Sequence, residues 1–177
     1  MADHMSAYIE LGGLLPEDKV RHLAEQIASQ GGPQWGEYYA DDEARLEADI
    51  RTASSQVRSF VLYDEEAAWG QFDEVESVCR DLDLTYRRHN CAKYEYDASW
   101  HWWLPALDEP AYCLSSQDGA ALIEADEFRQ QLGAASHKAL RLTSLDVAIE
   151  SLVANLEDWL ALRKPPDIPP LEIIKDQ

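Results

Sequence analysis

Apolar residues recur every three or four positions in three segments of the N-terminal half, which is the spacing of one buried helix face. The three sets are Val20, Leu23, Ala24 and Ile27; Leu46, Ile50 and Ala53; and Phe72, Val75, Cys79 and Leu82. Pro16 followed by Glu17 and Asp18 is typical of a helix start, because acids there complement the helix dipole. The pattern predicts three amphipathic helices before residue 83.

Strands are predicted around these helices, at 7–15, 58–63, 84–89 and 93–104, with a loop through 64–70. The strand 93–104 alternates strictly between an aromatic face and a polar face. The aromatic face holds Tyr94, Tyr96, Ala98, Trp100 and Trp102; the polar face holds Lys93, Glu95, Asp97, Ser99 and His101. The alternation predicts that Trp100 and Trp102 belong to the core and that Trp103 faces the polar side.

The C-terminal third is predicted to contain a hairpin, two helices and a tail. The hairpin joins 111–114 to 120–125, and a short helix follows from Asp126. The last helix begins at Thr143 and ends before Pro165. Its predicted buried face contains Leu145, Ile149, Leu152, Leu156 and Trp159.

Interleaved helices and strands predict an α+β fold with a largely antiparallel sheet packed by helices. We expect one acidic domain over 1–164 and a proline-rich, extended tail over 165–177. The order strand, helix, strand, strand between 58 and 103 is compatible with a ferredoxin-like βαββ unit. That topology hosts many functions and selects none.

The net charge of the chain indicates more about its function than any sequence motif does. The chain of 177 residues carries 34 acidic and 15 basic residues, a formal net charge of −19. Residues 37–83, which we call the acidic segment, hold 14 acidic and four basic residues. Such a field attracts basic partners and repels nucleic acid and anionic membranes. We therefore expect a basic protein or ribonucleoprotein partner, with no direct binding to nucleic acid or membrane.

Carboxylates on the acidic segment could imitate the phosphates of a nucleic acid and occupy a basic groove. Aromatic residues in or beside the segment could supply the apolar anchors that charge alone lacks. The predicted partner-binding residues are Asp41, Asp42, Glu43, Glu47, Asp49, Asp64, Glu65, Glu66, Asp73, Glu74, Trp35, Tyr38, Tyr39 and Trp69. The hypothesis is a non-enzymatic inhibitor acting by DNA or RNA mimicry, of the kind that phages and mobile elements direct against CRISPR or restriction systems.

A solvated face is the simpler interpretation of the same charges. Arg45 can pair with Asp49, and Glu47 with Arg51, each four residues apart on a helix. The run 64–66 has three acids and no basic neighbour in sequence, so a surplus remains. Both interpretations stay open at this stage, as does adaptation to high salt.

Other function classes have weaker support. The polar strand face around His101 could perform acid–base chemistry, but no nucleophile elbow or glycine-rich loop accompanies it. An immunity protein against a nuclease toxin, and an adaptor that uses its tail, remain alternatives to the inhibitor.

Cys79, Cys91 and Cys113 are too widely spaced for a structural zinc site, and we expect reduced thiols, no metal and no cofactor. Without a signal peptide or an apolar spanning segment, a cytoplasmic location is expected.

Overall fold

The computed structural model describes residues 3–30, 34–35, 38–39, 42–93, 96–141 and 144–175, with 34–35 and 38–39 described by their backbone alone. The elements are β1 (His4–Pro16), a 3-10 turn (Glu17–Lys19), α1 (Val20–Gln30), β2 (Gln34–Trp35), β3 (Tyr38–Tyr39), α2 (Glu43–Ser55), β4 (Phe60–Ala68), α3 (Asp73–Asp81), β5 (Thr85–Asn90), β6 (Ser99–Trp103), β7 (Ala111–Leu114), α4 (Ala125–Ala139), α5 (Leu145–Ala161) and β8 (Leu171–Ile174). The predicted α+β class is confirmed.

The sheet is antiparallel along its main path, in the order β3-β2-β4-β1-β5-β6-β7. The long strand β1 lies at its centre, and β8 adds to β1 in parallel. The expected ferredoxin-like unit is not confirmed. β4 and β5 are joined through α3 but lie on opposite sides of β1, and β6 pairs with the far side of β5.

The main core lies between one face of the sheet and the first three helices. The apolar stripes predicted for these helices are buried as expected, because each faces the sheet. The largest fully buried side chains of this core are Ile9, Leu11, Leu15, Leu23, Ile27, Ile50, Phe60, Leu62, Phe72, Leu84, Tyr86 and Leu171. Burial of each such side chain contributes roughly 1.5–3 kcal/mol, so this layer fixes the positions of everything attached to it.

The tryptophan run is buried on both faces of the sheet. Trp100 and Trp102 form a second cluster with Cys113, as predicted. Trp103, predicted to face the polar side, is instead part of the main core, where its Nε1 donates to the Leu107 carbonyl oxygen at 3.0 Å. The prediction was wrong because β6 is an interior strand, and both of its faces are covered there.

Two predicted strand boundaries are wrong, and a predicted hairpin is only partly formed. Lys93 and Tyr96 exchange backbone hydrogen bonds of 3.0 Å each, and the strand that follows begins only at Ser99; Tyr94 and Glu95 lie outside the described residues. β7 pairs with β6, and the predicted hairpin with 120–125 is reduced to an antiparallel bridge between Ser115 and Ala121 and a hydrogen bond of 2.8 Å from the Leu122 amide to the Leu114 carbonyl oxygen. The predicted loop 64–70 is largely strand, since β4 continues beside β1 to Ala68.

The buried face predicted for the last helix is wrong as well. No described side chain of α5 is buried, and Leu145 and Ile149 are 75% and 52% exposed. α4 is the element that packs alongside α5 in the described part of the chain, and one neighbouring helix covers only one side of it. The helical hairpin formed by α4 and α5 therefore keeps much of its apolar surface in solvent.

The proline-rich tail lies on the domain. The Gly13 amide donates to the Pro170 carbonyl oxygen at 3.1 Å, and the Leu171 amide donates to the Arg58 carbonyl oxygen at 3.1 Å. Leu171 enters the main core. Gly12 permits this approach, because a Cβ there would lie 1.8 Å from the Pro169 carbonyl oxygen.

Gly12→Ala is expected to displace the tail and lower the free energy of unfolding by about 2 kcal/mol, the contribution of one buried leucine. Urea unfolding measures the loss. Gly133→Ala is the matched control, since nothing lies within 4 Å of a Cβ there. In the interior of α4 that change is expected to be neutral or stabilising by up to about 1 kcal/mol. Equal stability of Gly12→Ala and wild type would contradict the docked tail.

Candidate functional site

The topology gathers most of the predicted acidic residues at one end of the molecule. β4 finishes at Ala68 opposite His4, where β1 begins, and α3 starts a few residues later. The C-terminal half of α2 lies at the other end, where Arg51 Nη1 contacts Glu17 Oε1 at 3.3 Å, so the N-terminus of α2 points toward the end where β4 finishes. We call this region the acidic end; it comprises Asp42, Glu43, Asp64, Glu65, Glu66, Asp73 and Glu74.

Contacts between elements support this placement. The backbone amide of Glu74, in the first turn of α3, donates to Gln30 Oε1 at 3.0 Å, which ties the start of α3 to the last residue of α1. Helices α2 and α3 thus direct their N-termini toward the same end. The partial positive charge of a helix N-terminus stabilises nearby carboxylates, so the fold can hold many acids there.

Two members of the acidic end have structural roles. Asp42 caps α2, since its Oδ1 accepts the backbone amide of Arg45 at 3.1 Å. Asp64 Oδ1 accepts the amide of Glu66 at 2.9 Å and shapes the end of β4. Both residues also count toward the formal negative charge of the acidic end.

Ion pairs neutralise only some of the predicted acids. Glu47 pairs with Arg51 at 3.0 Å, and Asp49 lies 3.9 Å from Arg45. Of the predicted acids, the exposed ones without a cation at salt-bridge distance among the described residues are Asp42, Glu43, Glu65, Glu66, Asp73 and Glu74. Ion pairs on a solvated face therefore account for the charges in the middle of α2. The acidic end keeps a net negative charge.

The predicted aromatic anchors have separate outcomes. Trp69 directly follows β4, is 44% exposed, and meets Tyr96 edge to face at a ring distance of 5.9 Å. Its backbone has a φ of 56°, an outlier for a bulky residue and a sign that the surrounding structure holds it in place. Asp41 and the side chains of Trp35, Tyr38 and Tyr39 fall outside the described residues. The backbone of β2 pairs with β4, and that of β3 pairs with the far side of β2.

Beside the acidic end lies a pocket of about 400 Å³. Its rim is aromatic and includes Trp69, Tyr96 and Tyr112, while its floor is polar. The remaining lining residues are Met5, Gln71, Arg88, Asn90, Asp97, Ser99, His101 and Leu114. Three members of the predicted polar strand face, Asp97, Ser99 and His101, thus meet in one cavity. Glu95 lies outside the described residues, and the Lys93 side chain binds the carbonyl oxygen of His4 instead.

A chain of hydrogen bonds runs under this pocket. His101 Nε2 lies 3.1 Å from Ser99 Oγ, and Ser99 Oγ donates to Asn90 Oδ1 at 2.6 Å. Arg88 donates to the Gly70 carbonyl oxygen at 2.6 Å and pairs with Glu76 at 2.5 Å. Arg88 and Asn90 are not among the predicted site residues, although their spacing on β5 places both on the face that carries Tyr86.

Burial, with a smaller contribution from the Arg88 charge, lowers the pKa of His101 to about 4. The imidazole is neutral at pH 7, and a base this weak is poorly matched to proton abstraction there. The Ser99–His101 contact therefore resembles a structural hydrogen bond more than an activated nucleophile.

The depressed pKa of His101 predicts acid sensitivity. The unfolded chain binds a proton at this residue near pH 6.5 and the folded chain near pH 4, so stability falls as the pH drops through this window. We expect a loss of about 2 kcal/mol from His101 between pH 6.5 and 4, after allowance for solvent screening.

Urea unfolding of wild type and His101→Gln at pH 7, 5.5 and 4 measures this contribution. The glutamine keeps a hydrogen-bonding group near Ser99, and its difference from wild type should shrink as the pH falls. The pKa of His89 is also lowered by burial, so His101→Gln keeps part of the pH dependence. Parallel pH profiles for the two proteins would contradict a buried neutral His101.

No metal site is indicated by the described residues. No group of three or more His, Cys, Asp or Glu side chains among them is arranged to hold a metal ion. Cys79, Cys91 and Cys113 are free thiols. Burial raises the pKa of Cys113, and the thiol of Cys79 is fully buried, which opposes the reactivity of both.

Comparisons with known proteins add no functional assignment. The chain matches no family model, no curated protein and no solved structure. Among the helices of the described residues, none combines the length and apolar character required to cross a membrane. The case for function therefore rests on the geometry and charge of this chain.

Proposed function

We propose that this protein is a non-enzymatic inhibitor that binds a basic, nucleic-acid-binding protein through its acidic end. The observation that carries the proposal is the convergence of carboxylates from α2, β4 and α3 at one end of the fold. These elements are far apart in sequence, and the exposed acids among them have no cation at salt-bridge distance in the described residues. A groove of arginine and lysine that accepts a polyanion accepts this surface for the same electrostatic reason.

The arrangement of the carboxylates supports mimicry more than a simple need for solubility. Solubility requires only a modest net charge with both signs interspersed. Here Glu65 and Glu66 are exposed near the end of β4, and Asp73 and Glu74 follow at the start of α3. The ion pairs of α2 join Arg45 to Asp49 and Arg51 to Glu47, and neither pair involves a residue of the acidic end.

Trp69 and the pocket beside it provide the second part of the interface. Charge accelerates encounter, whereas buried aromatic contacts slow dissociation. Trp69 and Tyr96 form the rim nearest to the end of β4, and Asp97 adds a carboxylate to the same pocket. A cationic side chain of the partner that enters this rim gains contact with aromatic faces and a nearby negative charge.

Targets of this chemistry include the nucleic-acid groove of a CRISPR or restriction complex and the active site of a nuclease toxin. The same acidic end serves for an anti-defence inhibitor and for an immunity protein. The two differ in the partner's identity and agree in the mode of binding.

An enzyme that uses the pocket is the second candidate, favoured by the cavity of about 400 Å³ and the Ser99–His101 contact of 3.1 Å. The low pKa of His101 weighs against acid–base chemistry at neutral pH. Ser99→Ala separates the candidates, since partner binding should survive this change and an activity that needs the hydroxyl should not.

Capture from lysate tests the proposal. The immobilised protein is incubated with lysate at low salt, eluted in steps of rising salt, and the eluted proteins are identified and assayed on labelled DNA and RNA. The proposal expects a basic nucleic-acid-binding protein that elutes as salt rises and loses its nucleic acid when this chain is added. Retention of only neutral or acidic proteins would overturn it.

A further inference from the structure

The helical hairpin of α4 and α5 leaves a row of large apolar side chains in solvent. Phe128 and Leu132 on α4 are 39% and 37% exposed, and Ile149, Val153 and Leu160 on α5 are 52%, 47% and 38% exposed. We call these five residues the hairpin face. Contiguous exposed apolar patches of this kind are unusual on monomeric proteins and mark interaction sites.

Contacts within the hairpin define how the two helices lie. Lys138 Nζ donates to Asn155 Oδ1 at 2.8 Å, Arg163 pairs with Glu127 at 2.5 Å, and the ring of Phe128 lies 6.2 Å from that of Trp159. The helices are antiparallel neighbours. α4 has only two buried residues, Ala135 and Ala139, and α5 has none among its described side chains.

The five residues of the hairpin face lie on one side of the hairpin, whereas the exposed Val147 and Leu162 lie on the other side of α5. On α5, Ile149, Val153 and Leu160 are four and seven residues apart, so they lie on one side of the helix. They lie next to the half-buried residues of α5 that face α4. On α4, Phe128 and Leu132 are offset to one side of the row through Ala135. Because the helices run in opposite directions, these two offsets point to one common face.

This part of the chain is nearly neutral in an otherwise strongly acidic protein. Residues 125–163 contain six acidic and four basic residues. The outer edge of α5 carries Asp146, Glu150 and Glu157, whereas basic Arg129 and titratable His137 lie along the outer edge of α4. Asp126 on that edge is bound to Arg129 within the same helix.

We propose that the hairpin face binds a second copy of this chain. Two hairpins would stack face to face as a four-helix bundle, with α4 of one copy over α5 of the other. That arrangement sets the Arg129 edge against the acidic edge of α5 on both sides of the two-fold axis. The alternative, α5 over α5, would oppose acidic edges, so the charges select the first arrangement.

The available surface is sufficient for a specific dimer. Helices of 15 and 17 residues are about 24 Å long, and a pair side by side is about 20 Å wide. Joining two such faces buries on the order of 1,000 Å², the lower range for specific association. A dimer of micromolar affinity is expected. The acidic ends lie outside the interface and stay available to a partner.

Sedimentation equilibrium of the full chain across protein concentration and salt tests the proposal. Wild type should form dimers, and more so at higher salt, because salt screens the repulsion between two chains of net charge −19. Ile149→Glu with Val153→Glu should raise the dimer Kd tenfold or more. Val147→Glu with Leu162→Glu is the matched control: it makes the same apolar-to-acid change at exposed positions on the opposite side of α5 and should leave dimerisation nearly unchanged.

Three results would overturn the proposal: a monomeric wild type at all concentrations and salts, equal loss of dimer in both double variants, or a hetero-complex that forms while the chain alone stays monomeric. Hydrogen exchange of wild type keeps the test decisive if a variant fails to fold. The amides of α5 should become more protected as protein concentration rises. Glu65→Lys with Glu66→Lys should not weaken dimerisation, because it lowers the net negative charge of each copy, and this result separates the dimer interface from the acidic end.

Discussion

Glu65→Lys combined with Glu66→Lys is expected to weaken binding to the basic partner about a hundredfold. Removing two attractive charges and adding two repulsive ones at a charged interface costs several kcal/mol, and a hundredfold change corresponds to about 2.8 kcal/mol. Both residues are exposed on β4. Their hydrogen bonds to Ser6 and His4 use backbone carbonyl oxygens, which the substitutions leave in place. The fold should therefore persist.

Asp108→Lys combined with Glu109→Lys is the matched control for this prediction. These adjacent exposed acids follow β6, at the end of the sheet opposite the acidic end, and their reversal changes the net charge by the same amount. Isothermal titration calorimetry at one salt concentration compares the two variants with wild type. Similar losses in both would show that net charge alone attracts the partner, and the assignment of the acidic end would be wrong.

Glu76→Gln is expected to lower the free energy of unfolding by about 3–5 kcal/mol. Glu76 Oε1 lies 2.5 Å from Arg88 Nε, and both side chains are almost fully buried beneath the pocket. Tyr86 OH also donates to Glu76 Oε2 at 3.3 Å. The amide leaves the guanidinium of Arg88 in a low-dielectric site without a counterion, and that uncompensated charge is the source of the loss.

Chemical denaturation of the variant measures this effect, and Glu74→Gln provides the comparison. Glu74 lies on the same helix and is exposed, so the same chemical change there should shift stability by about 0.5 kcal/mol or less. A second double variant, Glu76→Gln with Arg88→Met, should recover part of the lost stability because no charge remains buried. Equal stability of wild type and Glu76→Gln would show that the ion pair does not support the pocket floor.

Local periodicity predicted the elements whose environment is uniform along their length. Helices α1, α2 and α3 each bury one stripe against one sheet face, so the spacing of Leu23 and Ile27, or of Leu46 and Ile50, was sufficient to locate them. Periodicity failed where a neighbour changes along an element. The sequence around Trp103 alternates like a half-exposed strand, yet β6 is covered on both faces by distant parts of the chain.

The candidate site could be predicted only in part for the same reason. The acids are visible in the sequence, but their meeting at one end depends on the antiparallel pairing of β1 with β4 and on the direction of α2, which are long-range features. The pocket depends on Arg88 and Asn90 of β5 lying beside Ser99 and His101 of β6. An interstrand register of this kind cannot be read from either strand alone.

The hairpin face is a different case. Its apolar pattern correctly predicts a helix, but the expectation that the rest of the chain buries that face is wrong. The apolar repeat of Ile149, Leu152 and Leu156 predicts a helix with a packed face, and the helix is present. The sequence contains no information on what covers that face. In the described chain, α4 covers one side, and the proposed second copy completes the other.

Competition between this chain and nucleic acid for the same partner is the most direct test of the central claim. The partner is saturated with labelled DNA or RNA, this chain is added, and the anisotropy of the label is followed at two salt concentrations. The account predicts complete displacement by wild type, weaker at the higher salt, and little displacement by Glu65→Lys with Glu66→Lys. A stable ternary complex of partner, nucleic acid and this chain would contradict mimicry, because two polyanions cannot occupy one basic groove.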